Sequence, residues 1–142
     1  MPPYLTHDLT VEVGDEAPED NSLNMLQFHA RQTTLVIARS AYSQQQTLDQ
    51  AFDEQFKVLS SRLGVLTSSG PATVLLGPDA QLEGREIDLE YMLNDAPTYQ
   101  LQVACKLPGQ PRLLVLSYSK HSPFSEDDID HWRSIKKTLR LA

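Results

Sequence analysis

A single cysteine, Cys105, stands in 142 residues. No internal disulfide can form, and the chain suits a reducing or redox-indifferent compartment. Basic charge is also scarce. Twelve Lys and Arg face 19 Asp and Glu, a formal charge of -7, and no basic cluster runs longer than Arg133 to Arg140. Such a mean field repels phosphate backbones and anionic headgroups, which argues against nucleic acid and against direct membrane binding. No stretch approaches the ~20 apolar residues of a membrane span. The segment Met1 to Asp8 has neither the basic nor the apolar region of a secretory signal, so the expected location is the cytoplasm. Repeats and low-complexity tracts are missing as well, and the length fits one domain over residues 1–142.

The usual marks of catalysis are equally thin. His7, His29, His121 and His131 fall in a terminal segment, a turn, a loop and a helix, without metal-ligand spacing. There is no phosphate-cradling glycine loop and no Gly-x-Ser-x-Gly elbow. Cys105 alternates with Leu101 and Val103, which reads as core packing, not as a nucleophile. Glu86, Asp88 and Glu90 share one strand face. Acid/base or metal chemistry is one reading; a solvated face near a sheet edge is the plainer and favoured one. Asp127 and Asp128 with His131 read as helix capping and surface charge. The expectation is a non-enzyme without metal or cofactor.

What is present is strand after strand. Leu9, Val11 and Val13 alternate with polar residues; Ser22 to Phe28 and Thr33 to Ser40 follow, joined by a polar turn at His29 to Gln32. Thr47 and Gln50 fit a capping box, and Leu48, Ala51, Phe52, Phe56, Leu59 and Leu63 form one helical stripe, with Gly64 placed to end it. Thr67 to Pro71 reads as a loop and Ala72 to Leu76 as a short strand closed by Gly77-Pro78. Arg85 to Leu93 alternates cleanly, Asn94 to Pro97 turns, and Tyr99 to Leu107 alternates again. Pro108 to Pro111 turns into a last strand, Leu113 to Tyr118. Ser125 caps a final helix with Asp128 at the capping-box position, and Ile129, Trp132, Ile135 and Leu139 form its stripe. The order β-β-β-α-β-β-β-β-α with short connections predicts an α+β fold. It is a single-domain, curved, mainly antiparallel sheet of about six or seven strands with two helices packed on one face.

That sheet is too wide for its cover. Seven strands at about 4.8 Å make roughly 30 Å, and two helices of about 10 Å cover roughly 20 Å. Leu113 to Leu116 has no polar side, and Thr34 to Ala38 is nearly as apolar. An uncovered apolar face needs a partner: a second copy, an apolar ligand or an apolar peptide. On the strand from Tyr99 to Leu107, the Leu101 and Val103 side is the more apolar and is assigned to the core. Gln100, Gln102 and Ala104 then line the open face. Gln55 on the first helix and Gln102 are either simply solvated or placed to bond the polar groups of a bound peptide without burying a charge.

The succession Asp20-Asn21-Ser22-Leu23-Asn24-Met25-Leu26, Thr34 to Arg39, Gln55, then Pro123-Phe124-Ser125 before Trp132 resembles the Eag-type chaperones of bacterial type VI secretion. These belong to a group with a PsbP-like fold that includes the DcrB-like proteins. The resemblance spans nearly the whole chain. It implies a homodimeric cytoplasmic adaptor that binds the apolar N-terminal segments of a secreted effector, shields them from water and helps load the effector onto the secretion spike. By this analogy Met25, Val36, Ala38, Leu114 and Leu116 join the open face, with Leu63 and Leu66 as a groove rim. A small-ligand or lipid-binding module using the same face is the alternative, and a plain dimer whose open faces cover each other is another.

Overall fold

The computed structural model describes residues 4–5, 10–11, 14–15, 23–41, 47–62, 64–107 and 112–141. Strands β1 (Tyr4–Leu5) and β2 (Thr10–Val11) pair as a small antiparallel ribbon. The main sheet contains β3 (Leu23–Phe28), β4 (Thr33–Ala41), β5 (Gly64–Leu76), β6 (Leu82–Leu93), β7 (Ala96–Lys106) and β8 (Arg112–Lys120). Their spatial order is β3-β4-β8-β7-β6-β5, and every neighbouring pair is antiparallel. Helix α1 (Leu48–Arg62) joins β4 to β5, and α2 (Glu126–Thr138) follows β8. The α+β class and the antiparallel sheet are as expected.

Local chemistry explains the element ends. At α1 the Thr47 N–H donates to Gln50 Oε1 at 2.9 Å, and the Gln50 N–H donates back to Thr47 Oγ1 at 3.1 Å. At α2 the same reciprocal pair forms between Ser125 and Asp128. Each box satisfies two backbone N–H groups that have no partner inside the helix. Between β6 and β7 the turn is only Asn94-Asp95, tighter than the four residues expected. Both have positive φ, 52° and 64°, the combination a two-residue hairpin turn requires and one that Asn and Asp tolerate. Ala96 and Pro97 already pair with Leu93 and Met92.

Helix α1 ends at Arg62, just before Gly64 as expected, and Gly64 is already the first residue of β5, opposite Met92. One expectation about the middle of the chain needs correction. Thr67 to Pro71 is not a free loop but part of that 13-residue strand, which bulges between Ser69 and Ala72. Gly70 makes the bulge feasible: its φ is +111°, and a Cβ there would sit 2.7 Å from the Glu86 carbonyl oxygen.

The larger correction concerns the helices, which lie on opposite faces. Cross-strand partners share a face, so the registers sort the sheet into two sides. One side carries Leu101, Val103 and Cys105 of β7 with Leu114, Leu116 and Tyr118 of β8, and packs against Trp132 of α2. The other carries Ile87, Leu89 and Tyr91 of β6 with Ala104, Leu113 and Val115, and packs against Ala51 of α1. The reason is topological. Helix α1 must carry the chain from β4 to the far edge strand β5 and crosses β6 and β7 on the way. Helix α2 leaves β8 in mid-sheet and folds back over the other side. Strand β8 is therefore buried from both sides, which is why Leu113 to Leu116 has no polar residue.

Helix α2 is the more firmly fastened. Trp132 is buried, and its Nε1–H donates to Glu86 Oε1 at 2.6 Å, while Lys136 Nζ donates to the same oxygen at 2.8 Å. Tyr118 stacks between Phe124 and Trp132 at 5.7 and 5.6 Å. Glu86 is thus not part of a merely solvated acidic face; it is a half-buried anchor between β6 and α2.

Candidate functional site

Among the described residues, the α1 face is covered over β6 and β7 and open over β3 and β4. Across it runs a line of partners: Met25 of β3, Val36 of β4, Ser117 of β8, Gln102 of β7 and Ile87 of β6. Beside it runs a second line, Leu23, Ala38, Val115, Ala104 and Arg85. On the opposite flank stand Gln27, Thr34, Ser119 and Gln100. The surface therefore grades from apolar to polar along the strand direction, and from buried under α1 to open at the β3 edge.

The open end is apolar. Leu23 is 58% and Met25 57% exposed, large values for such side chains, and Val36 and Ala38 beside them are half-buried. The three strands β3, β4 and β8 span roughly 10–14 Å, about the width of one α-helix. Strand β3 is also an edge, with no neighbour on its outer side among the described residues. Its sequence Leu-Asn-Met-Leu-Gln-Phe has no charge and no proline, the devices that usually blunt an exposed edge.

The polar groups at the covered end are tied down. The Tyr91 hydroxyl donates to Gln100 Oε1 at 2.8 Å, and Gln100 Nε2 reaches Gln102 Oε1 at 3.5 Å. Gln100 is buried and Gln102 half-exposed. Burial pushes the Tyr91 hydroxyl above its ordinary range, so it stays a donor. Gln102 and Ser117 are the polar groups left facing the apolar patch.

Of the residues expected on an open face, Met25, Val36, Ala38, Gln100 and Gln102 share one side of the sheet. Ala104 shares it too but is fully covered beneath α1. Leu114 and Leu116 do not belong there. Both point to the opposite side and are buried in the α2 core. Ser117 is what β8 contributes instead. A strand apolar on both sides carries no alternation to fix its register, and a one-residue slip exchanges the faces. Leu63 and the side chains of Gln55 and Leu66 lie outside the described residues. Leu23 was missed, although its period-2 spacing from Met25 puts the two on one face.

The α2 side holds a polar network of a different character. Asp128, 2% exposed, accepts from Lys120 Nζ at 2.6 Å and from the Ser125 N–H at 2.9 Å. Burial pushes its pKa up, but Lys120 and Ser125 outweigh that and hold it below the usual range. His131 Nδ1 lies 2.8 Å from the Tyr118 hydroxyl, with the Phe28 ring edge-on at 4.6 Å. Burial and then Arg31 lower the His131 pKa. Arg31, in the β3–β4 turn, pairs with Asp127. These contacts fasten the β3–β4 hairpin to α2. Cys105 is fully buried, and burial alone pushes its thiol up to about 11. Among the described residues no group of three or more His, Cys, Asp and Glu could hold a metal ion. No helix among them is long and apolar enough to cross a membrane.

The family model for DcrB matches residues 10–138. The chain belongs to the DcrB family. No curated protein matches it. Among solved structures, the DcrB-family fold seen here is shared by a crystal structure from Pseudomonas aeruginosa of a protein of unknown function, described as a candidate regulator. The TM-score is 0.69 over 99% of this chain and 96% of that one, at 17% identity. At that identity the likeness speaks for the fold alone.

Proposed function

We propose that this DcrB-family protein is a non-enzymatic adaptor that holds an apolar helical segment of a partner protein across β3 and β4. One observation carries the reading: Leu23 and Met25 stand more than half exposed beside Val36 and Ala38, on the part of the α1 face that α1 does not reach. A partner's apolar side chains would cover the patch while Gln102 and Ser117 bond its backbone or hydroxyl groups without the cost of burying a charge. The gain is hydrophobic, and its size depends on how much of the patch is covered.

The resemblance to Eag-type chaperones sharpens the proposal. The segment would be an N-terminal transmembrane helix of a type VI secretion effector, shielded in the cytoplasm by two copies of the chain until it is loaded onto the secretion spike. Co-expression with the protein encoded beside this gene, followed by size-exclusion chromatography with light scattering, tests this. The expected result is a complex containing two copies of the chain, with the neighbour's apolar segment soluble only inside it. A neighbour that is soluble alone and forms no complex would overturn the reading and turn attention to a small apolar ligand.

A further inference from the structure

At the opposite edge of the sheet lies a second surface that the adaptor reading does not use. Strand β5 ends in the turn at Gly77 to Ala80, whose Gly77 N–H donates to the Lys136 carbonyl of α2 at 2.9 Å. This docking leaves an open groove of about 410 Å³. Its apolar wall is Val74 and Pro78, with Leu75 bordering it at the strand edge, since its pairing with Glu83 sets that side chain toward the α1 side; its basic wall is Arg133, Lys136 and Lys137.

The helix wall of this groove is basic, against the net charge of the molecule, while the facing turn carries Asp79. The last ten residues hold Arg133, Lys136, Lys137 and Arg140 and no acid, in a chain of net charge -7. The helix dipole favours cations in the last turn of α2, but it does not call for a valine and a proline across a groove from them. Lys136 is occupied by Glu86. Among the described residues, Arg133 makes an exposed contact to Asp130 at 3.2 Å, and Lys137 is solvent-facing. At physiological salt the screening length is about 8 Å, so a ligand in the groove feels these cations more than the distant acidic surface.

We propose that this groove is a docking surface for an acidic peptide segment of a partner protein, one that sets a leucine-like side chain against Val74 and Pro78 and its carboxylates against Arg133 and Lys137. A peptide fits better than a nucleic acid. The groove has no aromatic residue on which bases could stack, and the overall charge repels a polyanion. Six strands at about 4.8 Å put the β3 and β5 edges roughly 24 Å apart, so both surfaces can be occupied together.

The test is fluorescence polarisation with the full chain and a fluorescein-labelled peptide Glu-Glu-Leu-Leu-Glu-Glu. Saturable binding is expected, weakening as salt rises. The Arg133→Glu/Lys137→Glu double variant is expected to bind about tenfold more weakly. Pro78→Ser is expected to weaken binding too, with thermal unfolding of both variants within a few degrees of the parent. The charge-reversed peptide Lys-Lys-Leu-Leu-Lys-Lys should not bind. No binding of the acidic peptide up to millimolar concentration, equal binding by the double variant, or equal binding of an oligothymidine of similar length would each overturn the proposal.

Discussion

Replacing Leu23 and Met25 together by serine separates the binding surface from the core. Each side chain is a little more than half exposed, so folding has realised less than half of the roughly 1.5–3 kcal/mol that full burial offers. About 1–1.5 kcal/mol per residue remains for a partner to collect. Losing both weakens binding by about 2–3 kcal/mol, roughly 30- to 150-fold, while the unfolding free energy in urea changes little. Leu116→Ala is the counterpart. Leu116 is 3% exposed in the α2 core, and its truncation costs about 2–5 kcal/mol, a fall in Tm on the order of 10 °C, with partner affinity kept for the molecules that remain folded. The assay is urea unfolding of each variant beside titration with the co-purified partner. Strong loss of stability in the Leu23/Met25 variant, or unchanged binding by it, would refute the assignment of faces.

Other consequences concern the α2 side. Asp128 has a depressed folded pKa, so its contribution is fully present above the unfolded value near 3.8 and is lost as pH falls through the lower folded value. Asp128→Asn should flatten that acid limb in urea unfolding followed from pH 2 to 5, and Asp128→Ala should cost about 3 kcal/mol at pH 7, because it removes a cap and strands Lys120. His131, also depressed, favours the folded state above about pH 6.5 and loses that contribution as pH falls below it; His131→Asn should remove the corresponding slope on the acid side of pH 6.5. Glu86→Ala leaves the Trp132 N–H and Lys136 without their acceptor, and should destabilise by about 2–4 kcal/mol with altered Trp132 fluorescence. Cys105, buried and with its thiol pushed up to about 11, should fail to react with a thiol reagent at pH 8 until urea is added.

Much of the architecture is legible in the residues alone. Capping boxes at Thr47/Gln50 and Ser125/Asp128 act within one helical turn, and the structure keeps both. The alternation of β6 and of β7 assigns Leu101, Val103 and Cys105 to one side correctly, because each of those strands has a more polar face. What periodicity does not carry is long-range geometry. Nothing local in α1 states which side of the sheet it crosses. Strand β8, apolar on both faces, leaves Leu114 and Leu116 interchangeable with Leu113 and Val115 until its neighbours fix the register. Gly70-Pro71 signals a loop in isolation, whereas pairing with β6 absorbs it as a bulge. Glu86 looks solvated until α2 brings Trp132 and Lys136 to it from 46 and 50 residues away.

Backbone hydrogen exchange, compared between the chain alone and its complex with the co-expressed neighbour, tests the central claim most directly. The account predicts that added protection concentrates in Leu23–Phe28 and Thr33–Ala41, since β3 is the open edge and β4 lies beneath the patch. Protection confined to other elements, with β3 exchanging as fast in the complex as alone, would contradict it.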